Sequence, residues 1–512
     1  MVNIPITRNL FLQGCFWITL EIAALFQTGY IHPDEFFQNP EIMAGDIFNV
    51  THYRAWEFDP VNSLRTITIP YLTTGIPFDF TLLVSRYLRV SVPSYFMLVI
   101  SRIILFFLRV LLWWFLPEIS VKAKSRQRSR ALDLCFRTSY LEFIFLSRTF
   151  SNSVETFLFA WLLYLVCRST LYGQMSQRSA AKWIGIVSAA GIFNRPTFLA
   201  FGTIPWLLVL ARYQVKNVVR GVTAGLLTCA VFIAVDSLYF GRFVVTPYQF
   251  FLYNINPKNN EVHGLHPRYF HLTVSMPQLF GPMLFALLFP SLRQKLREEK
   301  SYIFFLIILV PLFLISMIPH QEPRFLLPLM IPMFILLADI VWNCSPLKAI
   351  WIAFNLIAGF FFGFVHQGGV IPSLSTAQRT LTTQPEVHVA YYQTYIVPQF
   401  PLLLPRHESE RFVNIGMSDH VKHEHVAELL ERKTRERTVY LFMPAVIDVM
   451  EVSPPGSRGY LWKRFCPHWS FEAQPDYRKL WKKPEQLCLN MWRFNPSEVR
   501  RDRLQWLPLS SS

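Results

Sequence analysis

Several common devices are missing from this sequence. No glycine-rich loop follows a strand-like run, which excludes the usual nucleotide-phosphate cradle. Internal repeats and long low-complexity segments are also absent, so the chain is not a solenoid. Seven cysteines, at 15, 135, 167, 229, 344, 466 and 488, follow no metal-ligand or disulfide-framework spacing. Most of them fall in or beside apolar runs, where a thiol acts as a small hydrophobe. Cys466 and Cys488 lie in a polar tail and form a disulfide if that tail faces an oxidising lumen. The N-terminus lacks a basic segment followed by a small-residue cleavage site, so Leu10–Thr28 is expected to remain as a signal anchor.

What fills the chain instead is apolar. Of its 512 residues 52% are hydrophobic and 47 are Phe, and the mean hydropathy is positive, far beyond what one soluble core uses. The pattern is that of a polytopic membrane protein. With about 20 residues per span, eleven stretches qualify: 10–29, 96–117, 131–148, 153–171, 182–196, 197–211, 218–240, 273–291, 301–319, 325–341 and 349–365. The connections rich in Lys and Arg are 122–130, 178–182, 212–220 and 293–300, and eleven spans put all four on one side. That side is cytosolic by the positive-inside rule. Much of the net charge of +16 is therefore an orientation signal and not a nucleic-acid footprint. The N-terminus is expected in the cytosol, and the lumen receives 30–46, 241–272, 320–324 and the tail from His366.

The most distinctive luminal stretch is GYIHPDEFFQNPEIMAGD at 29–46. Asp34 and Glu35 diverge on any regular element, so one of them should point into a cavity. Pro33 suits a first helical turn, and the two acids favour the positive end of a short helix over 36–47. A plain polar cap at a membrane surface accounts for the same residues, and local sequence leaves both readings open. Asn49-Val50-Thr51 is a glycosylation acceptor. The mixed stretch 66–92 reads as surface-lying helices.

Four further polar breaks interrupt the apolar text. In SRTFSNSVET at 147–156, Ser151 or Ser153 is suited to cap a helix while Glu155 or Glu142 neutralises Arg148. Arg195, in Asn194-Arg195-Pro196-Thr197, either snorkels or lines a cavity for an anion. Thr246–Gln278 is a headgroup-level loop whose His263, His266 and His271 match no metal spacing. In HQEPR at 320–324, Arg324 either pairs with Glu322 or offers its fork to a phosphate. Beyond Val365 the apolar periodicity stops, leaving a partly ordered tail with one strand-like run, Thr438–Phe442, and one helix, Lys422–Lys433.

Taken together, GYIHPDEFFQNPEIMAGD, WEF at 56–58, SRTFSNSVET, FNRPTF at 193–198, HGLHPRYF at 263–270 and HQEPRFLLP at 320–328 resemble glycosyltransferase family 22. Within it they are most similar to the branch that adds the fourth mannose of glycosylphosphatidylinositol (GPI) anchors. The resemblance covers about residues 10–370. Relatives commonly carry two acids where this chain has Glu322-Pro323, which removes one carboxylate from any family argument. The resemblance implies an all-α polytopic protein of GT-C type with about eleven spans and luminal surface helices. Residues 1–370 would be the catalytic domain, with 30–95 as first luminal loop and interfacial helices, and 371–512 a luminal tail.

The implied reaction, in the endoplasmic reticulum membrane, moves mannose from dolichyl-phosphate-mannose to the third mannose of a GPI precursor, with inversion to an α-1,2 linkage. Asp34 would be the general base and Glu35 its support or alternate. Substrate would be bound by His32, Gln38, Trp56, Glu57, Arg148, Arg195, His266, His320, Glu322 and Arg324. No cofactor or metal is required, because a lipid phosphate leaves without strong acid help. The expected partners are the two lipid substrates and membrane lipids, with no nucleic acid and no protein partner. The alternatives are a third-mannose GPI or dolichol-linked oligosaccharide mannosyltransferase, a polytopic lipid transporter and a non-catalytic scaffold. A transporter should show two pseudo-repeated halves, which the sequence lacks.

Overall fold

The computed structural model describes residues 17, 19, 22–120, 126–262, 264–415, 423–434, 437–454 and 457–495. Half of the expected first span, together with His263, lies outside the described residues. Within them, seven helices are long and apolar enough to cross a membrane: Ser94–Ile119, Ser151–Leu171, Val215–Phe240, His271–Leu288, Glu299–Ser316, Pro323–Asn343 and Ser345–Val365. Each coincides with an expected span.

Three other expected spans take different forms. The stretch 131–148 begins inside the charged helix Arg126–Arg137, breaks at Thr138–Ser139 and resumes as a wide turn, Leu141–Phe145. The helix Gln177–Asn194 starts on polar residues, and Phe198–Arg212 is apolar but short. Among the described residues the long apolar helices number seven.

By packing, the chain divides into two compact units. One comprises 1–53, 77–101 and 360–512, and the other 54–76 and 102–359. The expected boundary at 370 follows hydropathy; packing instead groups the 29–46 island with the tail.

In the second unit, helices Gln177–Asn194 and Val215–Phe240 meet backbone to backbone. A Cβ on Gly185 would lie 2.0 Å from the Gly221 carbonyl oxygen, so only glycine allows this approach. In the first unit, the helix that starts at Ile76 runs over the expected interfacial stretch to Leu88, with Phe80, Leu83, Tyr87 and Leu88 exposed. That face suits the bilayer boundary.

The tail corrects the all-α expectation. The membrane part is helical, but the tail builds a five-stranded mixed sheet from β1 (Val387–Tyr392), β2 (Phe412–Ile415), β3 (Thr438–Pro444), β4 (Tyr460–Phe465) and β5 (Leu489–Phe494). The order is β2-β1-β3-β5-β4, with β1 parallel to both neighbours and β5 antiparallel to β3 and β4. All six residues of β1, VHVAYY, are buried, as a central strand rich in β-branched and aromatic residues should be. Helix His423–Thr434 covers one face by setting Val426 and Leu430, one turn apart, among Ala390, Leu441 and Phe494.

Candidate active site

The island folds as two short helices, Asp34–Phe37 and Pro40–Phe48, and separates its carboxylates as their neighbouring positions require. Glu35 is fully buried. The Asp34 side chain keeps 26% of its surface open. Gln38, one turn on, donates from Nε2 to Asp34 Oδ2 at 2.6 Å. His32 Nδ1 accepts from the Asp34 backbone N–H at 3.2 Å and stands 3.6 Å from Oδ1. Asp34 is thus an accessible carboxylate held in one orientation, which is what a general base needs.

Sequence reasoning gave no role to Glu41, the third acid of the island. It is fully buried and accepts backbone N–H groups from Tyr53 at 3.2 Å, Phe400 at 3.2 Å and Gln399. Burial pushes its carboxyl up to about 8 against the pull of those three donors. Glu41 ties the island to residues 399–400 of the same unit. Nearby, Asn49 is exposed, while the Thr51 hydroxyl of the glycosylation acceptor donates to the Pro405 carbonyl at 2.9 Å.

In the other unit the polar breaks converge. Arg195 Nη1 donates to Ser151 Oγ at 2.9 Å, and its Nε stands 3.6 Å from Glu155 Oε2. Glu155 Oε1 accepts from Thr197 Oγ1 at 2.6 Å. Arg65 Nη1 reaches the same Ser151 hydroxyl at 3.4 Å, and its Nε donates to Glu57 at 2.8 Å. Arg324 grips Glu322 with two prongs, Nε to Oε2 at 2.5 Å and Nη2 to Oε1 at 2.9 Å. The Phe325 ring lies under both Arg195, at 5.0 Å, and Arg324, at 5.8 Å. Three guanidiniums and three carboxylates therefore share one neighbourhood.

Histidines border this cluster. His320 Nε2 bonds Glu322 Oε1 at 3.0 Å, and His266 Nδ1 accepts from the Gln321 backbone N–H at 3.4 Å. The Trp56 and Tyr253 rings lie 4.9 Å apart, tilted by 40°, and Arg148 is fully buried. The structure places Arg195, Glu57, His266, His320, Glu322 and Arg324 in this neighbourhood, together with Arg65, Ser151, Glu155 and Thr197, which were not among the expected substrate-binding residues. The Ser151 hydroxyl is an acceptor for two arginines. Glu142 faces Arg109 at 3.3 Å and Glu155 faces Arg195 at 3.6 Å. Among the described residues no group of three or more His, Cys, Asp or Glu is placed to hold a metal ion.

The hydrogen bond to Glu322 raises the His320 imidazole above its ordinary value, against the opposing effect of burial. A raised folded-state pKa stabilises the fold fully below the unfolded value of about 6.5 and stops doing so as pH climbs through the folded value. Comparing melting temperatures of the protein and His320→Asn should therefore show the widest gap near pH 6 and a narrowing gap toward pH 8. A gap that widens with pH would refute the pairing.

The model of the Alg9-like mannosyltransferase family matches residues 14–399. The chain is 34% identical over 437 residues to human GPI alpha-1,2-mannosyltransferase 4, covering 74% of this chain and 73% of that one. It is 31% identical over 416 residues to GPI mannosyltransferase 4 of Yarrowia lipolytica, covering 77% of each. A crystal structure of ArnT from Cupriavidus metallidurans, bound to undecaprenyl phosphate, superposes with a TM-score of 0.55 at 12% identity, over 95% of this chain and 98% of that one. That likeness shows a shared overall fold. The relatives' names correct the functional expectation, which was drawn too broadly. They are mannosyltransferases numbered 4, so the third-mannose transferase is withdrawn, and the oligosaccharide enzyme, transporter and scaffold go with it.

Proposed function

Since this chain belongs to the Alg9-like mannosyltransferase family, we propose that it installs the fourth mannose of a GPI glycan through an α-1,2 linkage, with dolichyl-phosphate-mannose as donor. The observation that carries this reading is the match over 14–399, which takes in both the island and the arginine cluster. Residues 1–370 hold the catalytic parts, and 371–512 form a luminal tail.

Asp34 removes the proton from the acceptor hydroxyl as that oxygen attacks the anomeric carbon. Gln38 and His32 keep the carboxylate aimed, and buried Glu35 supports the helix that presents it. A β-linked donor and an α-linked product make the step an inversion, so one base suffices. The dolichyl phosphate leaves as a stable anion, and Arg324, Arg195 and the neighbouring His320 and His266 stabilise its charge. Trp56, Glu57 and Arg148 belong to the sugar and phosphate surroundings.

Arg324→Lys keeps the charge but loses the two-pronged geometry. The expected result is a kcat/KM for the lipid donor about tenfold lower, as suits the loss of one charge-assisted hydrogen bond to the departing phosphate. A change in acceptor KM alone would remove Arg324 from the donor site. The acceptor is tested directly. Purified protein with labelled dolichyl-phosphate-mannose should extend a three-mannose GPI precursor and leave a two-mannose precursor untouched; extension of the shorter glycan alone would overturn the proposal.

The protein resides in the endoplasmic reticulum membrane with its N-terminus cytosolic and its tail luminal. The four basic connections support this orientation, as does the bonded pair Cys466–Cys488, which suits an oxidising lumen. A glycosylation acceptor engineered beside exposed Glu386 should be modified, and one beside exposed Gln174 should not. The reverse pattern would invert the topology.

A further inference from the structure

Strands β4 and β5 are antiparallel neighbours, and their last pair is Phe465 with Leu489. Cys466 and Cys488, the next residues on either side, are bonded, with Cα atoms 4.4 Å apart. The disulfide therefore staples the base of a long hairpin loop. Just above the staple the loop is fastened again. The Trp469 backbone N–H donates to the Val365 carbonyl at 3.0 Å, and the Gln367 N–H donates to the Trp469 carbonyl at 2.8 Å. The Phe361 and Trp469 rings lie 5.3 Å apart, and the His366 and Phe471 rings 5.4 Å apart. Val365 is the last residue of the apolar helix Ser345–Val365. The base of the loop is thus pinned where a transmembrane helix reaches the membrane surface.

The tip has the composition of a membrane interface. Tyr477–Lys483 reads YRKLWKK, with four basic residues of seven and no acid. Trp481 is 98% exposed and Tyr477 58%, a large apolar surface left to water on a tethered loop. The tip also has a defined shape. Asp476 accepts from the Arg478 N–H at 3.1 Å and pairs with Lys479 at 3.1 Å, while the Lys483 N–H donates to the Lys479 carbonyl at 2.9 Å. Amphipathic aromatic rings settle at headgroup depth, and clustered Lys and Arg beside a bilayer attract anionic lipid.

We propose that this stapled loop is a second membrane anchor, in which Trp481 and Tyr477 enter the headgroup layer and Arg478, Lys482 and Lys483 bind the phosphates of anionic phospholipids. It fixes the tail sheet against the bilayer surface beside the last span. Charge complementarity selects an anionic lipid surface over a neutral one. The membrane reading alone supports this inference, which does not depend on the sugar transferred.

Hydrogen exchange on full-length protein in lipid nanodiscs tests it. Amides 476–484 should exchange at least about tenfold more slowly in discs containing phosphatidylinositol than in pure phosphatidylcholine. The difference should vanish at 1 M salt, where the screening length is about 3 Å. Lys482→Glu with Lys483→Glu should abolish it, and Trp481→Ser should reduce it, while mannose transfer in detergent stays at the starting level and certifies the fold. Equal exchange in both discs would overturn the proposal. So would equal protection in detergent, which would mean the tip packs on its own chain. Protection seen only in whole microsomes would assign the loop to a protein partner and equally defeat the lipid reading.

Discussion

Asp34→Asn should lower mannose transfer per folded enzyme by roughly 10²–10⁴-fold, the range general-base catalysis contributes. Asparagine keeps the volume of the side chain. Its carbonyl oxygen can still accept from Gln38 Nε2, which reaches Asp34 Oδ2 at 2.6 Å, so orientation survives while basicity does not. Because the Asp34 side chain is partly open and packs into no core, the variant should reach the membrane in normal amounts. Glu35→Gln is the contrast. Glu35 is fully buried, so its amide should cost folded yield more than rate per molecule. The deciding measurement is the transfer rate at saturating donor and acceptor, divided by the folded fraction. Normal Asp34→Asn beside inactive Glu35→Gln would move the base to Glu35; full activity in both would make the island a helix cap.

How much of this was legible in the sequence depends on how local each interaction is. Long apolar runs such as Val215–Phe240 announce themselves, because one contiguous segment carries the whole signal. The run 131–148 misled, since its apolar count hides a charged helix start at Arg126 and a break at Thr138–Ser139. The tail sheet was visible only at Thr438–Phe442. Buried β1 reads like any apolar run, and exposed β4, YLWKRF, reads like a loop. Their pairing with β3 and β5 joins residues far apart in the chain.

The site shows the same division. The divergence of Asp34 and Glu35 follows from their adjacency and is a sequence-level inference. Which of them turns outward is decided by tertiary packing around the island and by Gln38. Arg65 carried no local signal at all; its partners are Glu57, eight residues before it, and Ser151, 86 residues after it. Glu155 and Arg195 each stood out as a charge in apolar text, and only the fold shows that each answers the other.

That pair sets up the second large effect. Arg195→Met should cost about 3–5 kcal/mol of stability, the penalty for stranding one member of a buried ion pair. The Arg195 side chain is 5% exposed and its partner Glu155 is fully buried, so the carboxylate left behind cannot turn to water. The folded, detergent-resistant fraction should fall sharply, and limited proteolysis or a thermal melt would show it. Adding Glu155→Gln removes the stranded charge while leaving an acceptor for the Thr197 hydroxyl, now 2.6 Å from Glu155 Oε1. The double variant should recover most of the lost stability, since replacing both members of a buried pair is often close to neutral. Recovery of fold then separates the two roles of Arg195. If its guanidinium also stabilises the departing lipid phosphate, the refolded double variant stays slow in transfer, with the deficit in the donor-dependent step. If the double variant regains full transfer, Arg195 is a structural counter-ion for Glu155, and the donor phosphate falls to Arg324 with the histidines beside it.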